Sequence, residues 1–147
     1  MTSVPVAEGL FEDVDGAPAL IGGRCDDCGT ISFPVAPGCP GCSSARVSSM
    51  ALSPRGTLWT WTSQEFQPVA PPYIGPGSDG TDFAPYFVGY IELPGELRVE
   101  ARLTGYADRT PRIGEEMELV IVPFTHREAG DEVVSYAFAP VSEGASA

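Results

Sequence analysis

Cys25-Asp26-Asp27-Cys28-Gly29, followed after a short polar stretch by Cys39-Pro40-Gly41-Cys42, holds all four cysteines of the 147-residue chain. Two C-x2-C knuckles place four thiolates around one tetrahedral ion and leave no open position for water, so the metal they imply is structural. Gly29 behind the first knuckle and Gly41 inside the second let the backbone turn its amides toward the sulfurs, and Pro40 stiffens the second. The ten residues between Cys28 and Cys39 are fewer than in most zinc ribbons, and a hairpin over Thr30 to Gly38 closes that gap. Zn2+ is the expected ion, and iron suits the same donors. Two disulfides, or free buried thiols, are the alternatives without metal. Four thiolates on Zn2+ carry about −2. Arg24 and Arg46 bracket the cluster, placed either to offset that charge or to face solvent.

Outside the knuckles, composition narrows the field. Twenty acids stand against eight bases, all of them arginine, for a net charge of −12. Such a chain repels phosphate backbones and anionic membrane surfaces, so general nucleic-acid or membrane binding is not expected. No apolar run approaches the roughly 18 residues of a membrane helix, and the N-terminus has no signal-peptide pattern, so a soluble cytoplasmic protein is expected. An apolar fraction of 43% supports a real core, while 17 glycines and 15 prolines predict many turns and short strands rather than long helices.

The strand signals follow. Residues 1–8 read as a tail. Residues 9–54 read as a hairpin, the four-cysteine ribbon and a lead-out; Asp15-Gly16 between Leu10-Phe11-Glu12 and Ala19-Leu20-Ile21 is a strong hairpin signal. Residues 55–141 carry five strand signals, and 142–147 read as a second tail. The first signal, Gly56 to Thr62, sets Thr57, Trp59 and Trp61 on one face and Leu58 and Thr60 on the other. Tyr86 to Leu93 holds Gly89, read as a bulge or tight bend. In the third, Leu97, Val99, Ala101 and Leu103 alternate with Arg98, Glu100, Arg102 and Thr104. Met117 to Val122 and Val133 to Ala139 complete the set. The fold class is all-β: a hairpin and zinc ribbon followed by a five-stranded OB-like barrel. The Pro/Gly-rich stretch 64–85 is too long for a passive loop and carries Phe66, Tyr73, Ile74 and Phe83, with Tyr86 just beyond. These five are the candidate partner-contacting anchors; filling a groove on their own barrel is the alternative.

This order resembles the acyl-CoA-associated family that joins a rubredoxin-like zinc ribbon to an OB-fold, long catalogued as a domain of unknown function. The resemblance rests on Leu20-Ile21-Gly22-Gly23-Arg24-Cys25-Asp26-Asp27-Cys28-Gly29, Phe33-Pro34, Cys39-Pro40-Gly41-Cys42 and Gly56-Thr57-Leu58-Trp59-Thr60. It continues through Tyr86-Phe87-Val88-Gly89-Tyr90-Ile91-Glu92-Leu93, Leu103-Thr104-Gly105, Ile113-Gly114 and Phe138-Ala139-Pro140. Many members carry a helix ahead of the hairpin, and this chain has almost nothing there. The resemblance implies a non-catalytic subunit, in a hetero-oligomer with a thiolase-like enzyme: a thiolase, ketoacyl synthase or steroid side-chain retro-aldolase. A hotdog-fold enoyl-CoA hydratase is a further possible partner, and acyl-CoA is the ligand of the complex.

The residues agree that the chain alone is not an enzyme. Thiolase-like chemistry needs a nucleophilic cysteine or a His and acid pair, and all four cysteines are committed to metal. The single histidine, His126, reads as a solvated turn residue, and the acids Glu115, Glu116 and Glu118 are expected to face water. Arg98 and Arg102 share one strand face, where guanidinium forks suit the phosphates of coenzyme A. A cross-strand ion-pair ladder with Glu100 is the plainer reading. A free-standing acyl-CoA-binding protein is the alternative function, and a nucleic-acid-binding ribbon/OB protein a more distant one.

Overall fold

The computed structural model describes residues 3–5, 9–66, 84–126 and 132–141, and among these every regular element is a strand. They are β1 (Ser3–Pro5), β2 (Phe11–Val14), β3 (Ala17–Cys25), β4 (Ile31–Ser32), β5 (Val47–Ala51), β6 (Arg55–Gln64), β7 (Tyr86–Glu92), β8 (Arg98–Leu103), β9 (Glu116–His126) and β10 (Glu132–Pro140). No helix of the described residues is long and apolar enough to cross a membrane.

β2 and β3 form the expected hairpin, with Val14 opposite Ala17. Asp15 and Gly16 both take positive φ, 52° and 86°, the two-residue turn whose twist matches that of the strands. β3 then runs on as the spine of the ribbon. Its second half pairs with β5 from Ile21↔Ala51 to Cys25↔Val47, and with β4 through Gly23↔Ser32. The lead-out after the second knuckle is therefore a strand. Its Val47-Ser48-Ser49-Met50-Ala51 has too few bulky residues to announce itself, and it forms because β3 offers an open edge.

β6, β7 and β8 make an antiparallel meander; β8 meets β10 in parallel at Leu103↔Phe138, β10 pairs with β9, and β9 closes onto β6. This is the OB order, and the barrel is closed. Residues Ser3–Pro5 of the expected tail pair in parallel with Glu132–Val134 of β10.

The bulge lies on a different strand from the one expected. Gly89 sits in regular register between Trp61 and Ala101, and a Cβ there would stand 2.7 Å from the Thr60 carbonyl oxygen. The irregularity is on β6, where Leu58 pairs with Ile91 but Thr60 pairs with Tyr90, leaving Trp59 as the extra residue. One extra residue inverts the alternation. The two tryptophans consequently do not share a face: Trp61 packs on the core and meets Phe87 edge-on at 5.4 Å, while Trp59 is 47% exposed.

The core joins both halves of the chain. Leu20 of the hairpin and Leu52 after β5 belong to the same buried cluster as Leu58, Ile91, Met117 and Phe138 of the barrel. Ribbon and barrel are one packing unit.

Candidate functional site

The two knuckles repeat the same bonds at the same offsets. Asp27 N–H and Cys28 N–H donate to Cys25 Sγ, both at 3.4 Å; Gly41 N–H and Cys42 N–H donate to Cys39 Sγ at 3.2 and 3.4 Å. Cys25 N–H donates to Thr30 O as Cys39 N–H does to Ser44 O, at 2.9 and 2.8 Å. The residue after each knuckle has positive φ: Gly29 at 79° and Ser43 at 67°. The sequence showed this requirement at Gly29 and hid it at Ser43, where a non-glycine residue takes the same strained turn.

The four sulfurs lie within 4.8 Å of one another, with Cys25–Cys42 at 3.6 Å and Cys28–Cys39 at 3.5 Å. A tetrahedron with Zn–S bonds of about 2.3 Å has edges of about 3.8 Å. The four cysteines thus fit a structural zinc, and the amide donors supply the outer contacts that stabilise thiolates. Four sulfurs this close cannot all ionise without a cation between them. The Thr30 hydroxyl and amide draw Cys28 down to about 6. At Cys42 the Ser44 amide pulls downward but is outweighed by the neighbouring Cys25 and Cys28 sulfurs, which push it up to about 12. Zn2+ removes this conflict by holding all four as thiolates. Arg46 pairs with Asp27 at 3.3 Å, and Ser48 donates to Asp26 at 3.1 Å, so the polar residues at the ribbon tip brace one another.

The second region is the outer face of β6–β8. Pairing places Tyr86, Val88, Tyr90 and Glu92 of β7 on one face beside Arg102, Glu100 and Arg98 of β8. Arg98 Nε bonds Glu92 at 3.0 Å and its guanidinium lies 3.9 Å over the Trp59 ring, so the cross-strand ion pair is present. Arg102 stacks 3.5 Å over Tyr86 and 5.7 Å from Phe124. Beside it a cleft of about 240 Å³ opens, lined by Tyr86, Val88, Arg102, Phe124, Ser135 and Tyr136. The cleft exists because the β8–β10 ladder consists of the single pair Leu103↔Phe138, so the strands part toward their other ends. Tyr136 Oη spans the gap, donating to the Glu100 carbonyl at 3.2 Å.

Of the expected anchors, Phe66 is 80% exposed just past β6, and Tyr86 is half-buried under Arg102. Tyr73, Ile74 and Phe83 lie outside the described residues, as does the side chain of His126. Trp59 and Tyr90 were not singled out from sequence; only the bulge brings Trp59 outward.

Glu115 is a correction to the expectation that the acids near Ile113 face water. Its side chain is only 16% exposed. Burial pushes its carboxyl upward, but the Arg109 guanidinium at 2.6 Å, the Arg112 amide and the Tyr106 hydroxyl, both at 2.8 Å, together hold it near 2. This cluster pins the β8–β9 connection beneath the barrel. Because the folded value lies below the usual 4.3 or so of an unfolded Glu, the stabilisation is full above that pH and is lost as pH falls toward 2. Glu115→Gln is expected to cost about 1.5–3 kcal/mol at pH 7 and to flatten the acid limb of a urea-unfolding series. An unchanged acid limb would assign that slope to other carboxylates.

Comparison with known proteins agrees with this architecture. Residues 16–48 match the family described as the ChsH2 rubredoxin-like zinc ribbon domain, and residues 50–122 the ChsH2 C-terminal OB-fold domain. The chain is 35% identical over 130 residues to the benzoylsuccinyl-CoA thiolase subunit BbsA of Thauera aromatica, covering 88% of this chain and 82% of that one. It is 28% identical to a DUF35 domain-containing scaffold protein of Methanothermobacter thermautotrophicus, covering 81% and 83%. Among solved structures it is similar to a chain of the Ltp2-ChsH2(DUF35) aldolase, with a TM-score of 0.58, 25% identity and coverage of 83% and 84%.

Proposed function

Since the chain belongs to the ChsH2 family of zinc-ribbon and OB-fold proteins, we propose that it is a non-catalytic accessory subunit of a thiolase-like acyl-CoA enzyme. The observation that carries this reading is the commitment of every cysteine to the ribbon knuckles, in a chain matching a thiolase subunit over most of its length. Acyl-transfer chemistry needs an activated nucleophile. Thiolates that hold a structural Zn2+ cannot supply one, so the chemistry belongs to the partner. What this chain offers is a rigid barrel, a bound metal that orders its ribbon, and an outer face with arginines and aromatics. The complex is a hetero-oligomer working in the cytoplasm, where thiols stay reduced; a hotdog-fold enoyl-CoA hydratase is a further candidate partner.

The stretch 64–85 with Phe66, Tyr73, Ile74, Phe83 and Tyr86 forms part of the contact with the enzyme in this reading. Of the two arginines expected at coenzyme A phosphate, Arg102 lines the cleft and stacks on the aromatic rings beside it, whereas Arg98 lies outside that cleft, over Trp59. A guanidinium stacked on its face directs its N–H edge along the ring plane, where a phosphate oxygen can accept from it. Arg102→Ala is expected to weaken acyl-CoA binding to the assembled complex by about tenfold, the scale of one charge-assisted hydrogen bond. Titration calorimetry showing unchanged affinity would leave Arg102 a packing residue.

The test of the reading is a tagged purification from the native host, with co-purifying proteins identified by mass spectrometry. A thiolase-like protein in stoichiometric amount, whose activity falls when this chain is withheld, is the expected result. If the chain emerges alone and binds acyl-CoA, it is a free-standing carrier and the accessory reading fails.

A further inference from the structure

We propose that the ribbon sets the shape of the cleft beside Arg102, with Phe33 as a positioning residue that holds Tyr136 across the β8–β10 seam. This rests on the placement of coenzyme A phosphate at Arg102, and it holds whichever enzyme the chain serves.

The seam needs a support that its backbone does not give, because the β8–β10 ladder is the single pair Leu103↔Phe138. Two residues before Phe138, Tyr136 Oη donates to the Glu100 carbonyl at 3.2 Å, so a side chain bridges where a ladder bond is missing. Tyr136, Glu100 and Arg102 all line the cleft, and Glu100 stands two residues from Arg102 on β8. The place of the Tyr136 ring therefore fixes both the width of the cleft and the strand segment that carries the arginine.

The ring is held from the other half of the chain. Phe33 meets it edge-on, with centroids 5.7 Å apart and planes at 88°. Both side chains are half-buried and pack against the shared core. Phe33 is not among the residues lining the cleft, so its effect on a ligand passes through Tyr136.

Phe33 is in turn placed by the knuckles. It directly follows β4, whose Ile31 and Ser32 pair with Arg24 and Gly23 just ahead of Cys25. Thr30, on the other side of β4, is wedged at the knuckles. Its carbonyl accepts from Cys25 N–H at 2.9 Å, its hydroxyl lies 3.1 Å from Cys28 Sγ, and a Cβ on Gly41 would come within 2.9 Å of that hydroxyl. Knuckle, Thr30, Phe33 and Tyr136 form one contiguous run of bonds and packed rings, the kind of link through which one region positions another. A binding group supported in this way holds its geometry before the ligand arrives.

The probe is coenzyme A, titrated calorimetrically into the assembled complex, or into the chain alone if no partner co-purifies. Phe33→Leu and Tyr136→Phe are each expected to weaken binding by about threefold to tenfold, the scale of one edge-to-face contact or one hydrogen bond. Combined, they should cost little more than either alone, since both act on one strut. Zinc content should stay at wild type. The chain has five tyrosines, so 3-fluorotyrosine labelling gives five ¹⁹F resonances, with Tyr136 assigned by Tyr136→Phe. In Phe33→Leu the Tyr136 resonance is expected to gain an H2O/D2O isotope shift and broadening by a soluble nitroxide. Phe11→Leu, at a half-buried core position on the hairpin outside the cleft, should leave the affinity unchanged. If Phe33→Leu leaves Tyr136 and the affinity at wild type while Arg102→Ala weakens binding, the inference is wrong and coenzyme A keeps its place. Equal weakening by Phe11→Leu would overturn it too, by tracing the effect to general stability. If Arg102→Ala and Phe33→Leu both bind normally, the placement of coenzyme A fails and this inference with it, while the accessory reading stands.

Discussion

Removing the metal is expected to unfold the ribbon and to lower the melting temperature of the whole chain by about 15 °C or more. Structural Zn2+ contributes on the order of 10–16 kcal/mol in isolated zinc modules, against a total stability of about 5–15 kcal/mol for a typical domain. Here the loss cannot stay local. The strand that carries Cys25 also carries Leu20, which is fully buried in the barrel core, and the chain leaving β5 delivers Leu52 to the same cluster. When the knuckles open, β3 loses its anchor and the barrel loses two core leucines. Calorimetry with and without a chelator, followed by re-addition of Zn2+, measures this directly. Cys39→Ser should reproduce the effect, since Cys39 is buried and accepts two amide hydrogen bonds. A melting temperature indifferent to chelation would mean that the hairpin and ribbon hold by packing alone.

The second large effect is expected at Phe138. Its side chain has no solvent exposure, and its backbone forms the parallel contact that joins β10 to β8, accepting from Thr104 N–H at 3.0 Å. Phe138→Ala should destabilise the chain by about 3–5 kcal/mol, from lost burial and the cavity left behind. Phe138→Leu, which keeps most of the volume, should cost far less. Urea unfolding followed by intrinsic fluorescence separates the two. Equal losses for both would show that ring shape matters at the seam more than the space it fills.

The metal site was legible because its chemistry is local. Two C-x2-C knuckles with turn residues at fixed offsets specify four ligands from a few positions each, and tertiary context has little to add. The hairpin was legible for the same reason, since Asp15-Gly16 selects a two-residue turn. Strands with clean alternation, such as β8, carried their inner and outer faces in the pattern itself.

Features decided across the fold were not legible. β5 exists because β3 has an edge to fill, and nothing in Val47–Ala51 says so. Glu115 resembles its neighbours Glu116 and Glu118 in sequence, yet it is half-buried because Arg109, Tyr106 and the Arg112 amide converge on it. Trp59 and Trp61 read as partners on one face until a single unpaired residue separates them.

By itself, then, the sequence determined the four-cysteine metal site, the all-β class and the ribbon-then-barrel order, and its net charge gave the expectation that nucleic acid is not a general partner. These rest on spacing, turn chemistry and net charge, which act within a few residues or over the whole chain. Only the tertiary structure decided which aromatics face outward, which acid is drawn partly out of solvent and that ribbon and barrel share one core. Those outcomes depend on register and packing between strands far apart in the chain, where one inserted residue exchanges the inside of a strand for its outside.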